Sequence, residues 1–159
     1  MPKELQIVGL RIGRETYGIP ISHVREIVRV PEITPVPNAQ QFFEGVINLR
    51  GKIISVVDLR KRFGETNIVP NKKNRIVVVE LDHRTVGLIV HAASEVLKIL
   101  PSEIEPPSSV FLNGENDYVT GVGKLNNRLI ILLDLNKVLH CGESHKLSEP
   151  EAPLVEHAV

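Results

Sequence analysis

The chain repeats itself. IVGLRIGRETYGI at 7–19 lies over IVVVELDHRTVGL at 76–88 with a constant offset of 69, and the same offset carries EIVRV (26–30) onto EVLKI (95–99). It also pairs Thr16 with Thr85 and Gly18 with Gly87. After a length change in a proline-rich stretch the offset becomes 76, and GVINLRGKIISVVDLRKRF (45–63) lies over GVGKLNNRLIILLDLNKVL (121–139). A duplicated unit of this length, present in only two copies, does not make a solenoid. It makes a two-lobed protein in which each lobe is the other's control.

Within each unit the pattern reads as strands. The apolar residues are mostly Val, Ile and Leu, with four Phe, two Tyr and no Trp, which suits pleated, half-buried surfaces. In the first unit a strand near 5–12 meets a second near 17–21 through the polar turn Gly13-Arg14-Glu15-Thr16, and a third follows at 26–30. PEITPVPN is loop, because its prolines cannot hold a regular ladder, and the Gln-Gln-Phe-Phe segment after it reads as a helical turn. A hairpin over 45–57 supplies strands four and five. Asp58 is placed as the N-cap of a short helix, LRKRF, that stops at Gly64; Asp134 repeats the device before LNKVLHC and Gly142. Five short strands per unit avoid exposed edges by closing, so the expected fold is all-β, with two homologous five-stranded barrels packed together and a short helix after each Asp-Leu strand end. Residues 143–159 read as a flexible acidic tail.

Composition narrows the function. Lys plus Arg and Asp plus Glu both number 19, so the balance offers no general pull toward nucleic acid or a lipid surface. The longest apolar runs are too short to cross a bilayer, and MPKELQ lacks the apolar stretch of a signal peptide. One cysteine, Cys141, allows no internal disulfide. Together these predict a cytoplasmic protein without direct membrane insertion.

The search for catalytic chemistry returns little. Histidines 23, 83, 91, 140, 145 and 157 show no metal-ligand spacing, and neither a metal nor another cofactor is expected. His83 sits in a polar turn. His140 and Cys141 adjoin, but neighbouring helical residues diverge by roughly 100° and make a poor nucleophile–base pair. Asp58 and Asp134 could be paired carboxylates, though capping explains both. The chain is not expected to be an enzyme. A basic run (Arg50, Lys52, Arg60, Lys61, Arg62, Lys72, Lys73, Arg75) raises the alternative of a nucleic-acid-binding barrel, against which stands the scarcity of aromatic stacking platforms.

The hairpin tips differ between the copies. The second has Asn126-Asn127, well suited to a two-residue turn with both φ values positive; the first has Arg50-Gly51. Gly51 serves such a turn, whereas Arg50 gains nothing from it over asparagine. Arg50 is therefore a candidate recognition residue, its planar fork suited to a carboxylate or a carbonyl.

These residues carry a family resemblance. YGIPISHVREI, Pro35-Val36-Pro37 and GVINLRGKIISVVDLRKRFG, followed by VGLIVHAASEVLKI, PSEIEPP and YVTGVGKLNNRLIILLDLNKVL, resemble the CheW-like domain family of bacterial chemotaxis proteins over roughly residues 5–140. The resemblance implies intertwined SH3-like barrels without catalytic activity. It implies one CheW-like domain over 1–142, the first barrel mainly 14–64 and the second mainly 76–140, with strands exchanged between the lobes. It implies two partners, the regulatory domain of the histidine kinase CheA and the cytoplasmic hairpin tip of methyl-accepting chemoreceptors, in arrays at the inner membrane. Carried over position by position, the receptor-binding residues are Val24, Glu26, Gly45, Arg50, Gly51, Gly87 and Val96, with Glu26 and Arg50 as a pair. The repeat equivalents of that pair are Glu95 and Asn126, so only the first unit can present it.

Overall fold

A computed structural model describes residues 4–37, 42–66, 68–106 and 118–140. Its strands are β1 (Leu5–Ile12), β2 (Glu15–Pro20), β3 (Val24–Arg29), β4 (Phe43–Leu49), β5 (Lys52–Asp58), β6 (Arg75–Leu81), β7 (Arg84–Val90), β8 (Ala92–Ile99), β9 (Ile104–Glu105), β10 (Val119–Leu125) and β11 (Arg128–Leu133). Helices α1 (Leu59–Arg62) and α2 (Leu135–His140) follow the two Asp-Leu strand ends. The expected helical turn at Gln-Gln-Phe-Phe is absent from its described part: Phe42 is a turn residue at φ 73 and Phe43 already begins β4.

The strand order is β3-β6-β7-β5-β4 in one sheet and β8-β1-β2-β11-β10-β9 in the other. Mapped through the repeat, the two orders are the same. Each lobe takes the opening hairpin of one copy and the later strands of the other, so segments 14–64 and 76–140 both contribute to both sheets. The registers match as well: β5 runs parallel to β7 with Val56 opposite Gly87, and β11 runs parallel to β2 with Leu132 opposite Gly18.

Closure of each lobe explains the repeated Gly-Val. Beyond β3 the chain returns to bond Val46 through Thr34, with N–H···O distances of 2.8 and 2.9 Å. In the second lobe β9 does the same job against Val122 and Gly123. A Cβ on Gly45 would run into the Thr34 carbonyl, and one on Gly121 would sit 3.1 Å from the Glu105 carbonyl oxygen. Glycine is what lets the closing segment approach.

The exchange also dictates where the core lies. In β6, Ile76 and Val78 face the first lobe's own interior, while Val77 and Val79 join a larger cluster with Val8, Leu10, Ile12, Leu88, Leu135 and Val138. That cluster takes residues from both sheets. A strand buried on both faces has no polar face to show, hence the unbroken IVVV. Each such side chain contributes roughly 1.5–3 kcal/mol on burial, so neither lobe is a plausible folding unit alone. Arg62 lies at the centre of the pseudo-symmetry. Its Nε donates to the Val138 carbonyl at 3.1 Å, and its guanidinium stands 5.6 Å from the Phe42 ring and 5.2 Å from Tyr118. Val138 is the repeat equivalent of Arg62, and Phe42 and Tyr118 are equivalents of each other.

Candidate functional site

Both β-hairpin tips adopt the same turn. Arg50 and Asn126 each have φ 51, followed by Gly51 at 86 and Asn127 at 65. Asparagine tolerates the left-handed region; for most side chains it costs roughly 1–2 kcal/mol. Arg50 is therefore held in a conformation its side chain disfavours. From there Arg50 Nη2 donates to Glu26 Oε2 on the edge strand β3. The pair is open to water, with side-chain exposures of 68% and 31%. An ion pair so exposed contributes about 0–1 kcal/mol, which at best offsets the strain. The tip is not there to stabilise the barrel.

The other residues carried over from the resemblance divide into two kinds. Val24 is half-buried at the start of β3 and borders a 520 Å³ cleft lined by His23, Arg25, Glu80, Asp82, His83 and Asn136. Val96, on the edge strand β8, is 41% exposed and pairs with Val8. These two and the Glu26–Arg50 pair can touch a partner. Gly45 and Gly87 are buried. A Cβ on Gly87 would meet Ile76 Cγ2 at 2.8 Å, and one on Gly18 would meet Ile7 Cδ1 at the same distance. Both pairs are repeat equivalents, so this glycine serves core packing in each lobe.

Sequence reasoning missed a second ion pair on β3. Arg25 Nη2 bonds Glu80 Oε1 across the sheet, and the repeat equivalents are Ser94 and Arg11, so it too belongs to one lobe. It also missed what Asp58 holds. Asp58 caps α1 through the Arg60 N–H at 2.9 Å, as expected, and also grips the buried Arg60 guanidinium at 2.9 and 3.0 Å. Arg60 reaches Asn74 at 3.3 Å, and Asn74 donates to the His91 carbonyl at 3.1 Å. His91 Nδ1 accepts the Gly13 N–H at 2.9 Å, tying the β1–β2 turn to this network. Burial, with help from the Arg60 charge, lowers the His91 pKa from its ordinary 6.5. Burial also raises the Tyr17 pKa. Asp134 caps α2 more simply, accepting from Asn136 N–H at 3.0 Å.

The basic run does not form one continuous charged face. Arg60 is buried against Asp58, Lys61 bonds Glu44, Arg62 lies between the lobes and Arg75 donates to the Lys72 and Asn74 carbonyls. That leaves Lys52, Lys72 and Lys73 as the exposed lysines of the run without a carboxylate partner among the described residues, too sparse a set to track a phosphate backbone. Among the described residues no three His, Cys, Asp or Glu side chains could hold a metal ion, and no helix is long and apolar enough to cross a membrane. His83 occupies the β6–β7 turn at φ 67; Cys141 and the tail at 143–159 lie outside the described residues.

Two interlocked barrels that display one strained arginine over an edge-strand carboxylate define a recognition module whose work is binding. Comparison with known proteins agrees. Residues 6–142 match the model of the CheW-like domain. The chain is 34% identical over 132 residues to the chemotaxis protein CheW of Klebsiella aerogenes, covering 83% of this chain and 80% of that one. It is 34% identical over 135 residues to the CheW of Helicobacter pylori, covering 85% and 81%. The crystal structure of the scaffolding protein TtCheW from Thermoanaerobacter tengcongensis superposes with a TM-score of 0.78 at 39% identity, covering 89% of this chain and 95% of that one. The chain belongs to the CheW-like domain family. It is a non-catalytic adaptor of bacterial chemotaxis signalling, with SH3-like barrels as its lobes.

Proposed function

We propose that this adaptor joins the cytoplasmic hairpin tip of chemoreceptors to the regulatory domain of the histidine kinase CheA, in the cytoplasm and within receptor arrays. Receptor binding falls to the first lobe's tip and its surroundings. A receptor helix lays apolar side chains against Val24 and Val96, while the Glu26–Arg50 pair sets its register through the arginine's fork. Gly51 keeps the tip turned, and Gly45 and Gly87 let the barrel close and pack beneath it. The observation that carries this reading is the left-handed Arg50, whose exposed ion pair at best offsets its conformational cost. For the kinase, the exposed and repeat-equivalent Ile53 and Leu129 supply apolar surface on each lobe. Holding both partners at once raises the effective concentration of kinase at the receptor.

Co-sedimentation with receptor tip, with kinase and with both tests the proposal. Arg50→Asp is expected to weaken receptor-tip binding at least about tenfold, the equivalent of 1.4 kcal/mol, with kinase binding and the unfolding temperature kept. Ile53→Asp or Leu129→Asp is expected to do the reverse. Undiminished receptor binding by Arg50→Asp would remove Arg50 from the interface.

A further inference from the structure

Beyond the Glu26–Arg50 pair, the Asn48 side chain makes a contact that sets the first hairpin tip apart from the second. Its Oδ1 accepts the Gly51 N–H at 2.9 Å, three residues on. That N–H sits at an exposed tip and would otherwise bond only water. The repeat equivalent of Asn48 is Lys124, whose side chain offers no acceptor. The second tip does without, because Asn126 and Asn127 both tolerate positive φ by themselves. The first tip places arginine where the turn wants asparagine, and there an acceptor appears. We propose that Asn48 is a positioning residue for Arg50: its carbonyl oxygen clamps the Gly51 amide, keeps Arg50 left-handed and so aims the guanidinium at Glu26.

The consequence for binding rests on the receptor reading above; the mechanism rests on the turn geometry alone. If the clamp is lost, Arg50 can relax toward φ values it prefers, and the fork leaves Glu26. The same logic makes Arg50 a site where folding and recognition pull apart. Arg50→Asn would complete an Asn-Gly turn, the most favourable two-residue hairpin loop, while removing the group that recognises.

Four variants of the full chain test this: Asn48→Ala, Asn48→Asp, Arg50→Asn, and Asn48→Ala combined with Arg50→Asn. Each is measured for thermal unfolding and for retention by the isolated cytoplasmic hairpin tip of a chemoreceptor. Asn48→Ala is expected to weaken retention about tenfold, and Asn48→Asp to restore it, because a carboxylate accepts the same N–H. Arg50→Asn is expected to raise the unfolding temperature by about 2 °C, by the size scaling of such shifts, and to lose retention. Asn48→Ala is expected to lower the unfolding temperature more in the Arg50 background than in the Arg50→Asn background, a coupling between neighbours. Equal losses in the two backgrounds overturn the positioning role, whatever the receptor tip does. So does full retention of Asn48→Ala where Arg50→Asp is not retained. Wild-type protein that ignores the receptor tip would sink the receptor reading instead, and the unfolding comparison would still decide the role of Asn48.

Discussion

The second lobe's hairpin tip is what the first lobe's would be if only folding mattered. At that tip stand two asparagines, at the same lobe's helix cap a half-buried Asp134 bonding Asn136, and at the carboxyl end of its first hairpin Ser22. In the first lobe the same stations hold a strained Arg50, an Asp58 gripping buried Arg60, and a His91 bonded to Gly13. The glycines, the parallel registers and the closing segments are shared. Features kept in both lobes build the barrel. Of the features kept in one, the Asp58–Arg60 and His91 contacts add to that lobe's own stability, and the Arg50 tip, exposed and near-neutral in energy, is where we propose recognition.

The comparison breaks most visibly at the caps. Asp58→Ala removes the partner of an arginine whose side chain is only 9% exposed. Stranding such a charge costs about 3–5 kcal/mol, whereas losing a simple N-cap costs about 1 kcal/mol. Urea unfolding of Asp58→Ala and Asp134→Ala is expected to show that difference. Equal losses would mean that Arg60 finds water or another acceptor once Asp58 is gone, and that the first cap is no more than the second.

A smaller effect separates packing from contact at Gly87. Alanine there must displace Ile76, and alanine at Gly18 must displace Ile7, each from 2.8 Å. Overpacking of this kind costs about 1–3 kcal/mol, so Gly87→Ala and Gly18→Ala are expected to lower stability alike. Should Gly87→Ala keep its stability yet lose receptor binding, Gly87 belongs to the contact surface and the symmetry argument fails at that position.

Much of this was legible in the sequence because the repeat supplied its own alignment. Five strands in each unit, both Asp caps, the Gly51 turn and the oddity of Arg50 all followed from comparing two copies, while the two-residue β9 carries no such signal. The strand boundaries shifted by about two residues, as β2 and β3 did, because hydrogen bonding continues past the apolar run that signals it. The exchange of hairpins came from family resemblance, since local patterns carry no information about which copy a strand pairs with. The Arg60–Asn74–His91 chain was hidden for the same reason: its members are distant in sequence and each is ordinary alone. Arg62 looks like part of a basic surface in the sequence because charge there does not reveal burial, and its neighbours Phe42 and Tyr118 come together only through the lobe interface.

The smallest effect belongs to His91, and it separates the lobes by pH. Its Nδ1 accepts the Gly13 N–H, so a proton on that nitrogen would set two donors face to face. The groups around it oppose one another: Arg60 and Arg11 disfavour the charged ring, Glu65 and Asp58 favour it, and burial, the largest influence, disfavours it. With the folded-state pKa below 6.5, the unfolded chain binds more protons between the two values, so stability rises with pH across that interval. The contribution is complete above the unfolded-state pKa of about 6.5 and is lost as pH falls through the folded-state value. Thermal unfolding between pH 7.5 and pH 5 is expected to show a downward slope that His91→Gln flattens, the other histidines being common to both proteins. Ser22, the repeat equivalent, does not titrate, so the slope belongs to the first lobe's network. An unchanged slope in His91→Gln would place the acid sensitivity elsewhere and leave the Gly13 bond without a part in coupling the β1–β2 turn to the buried arginine.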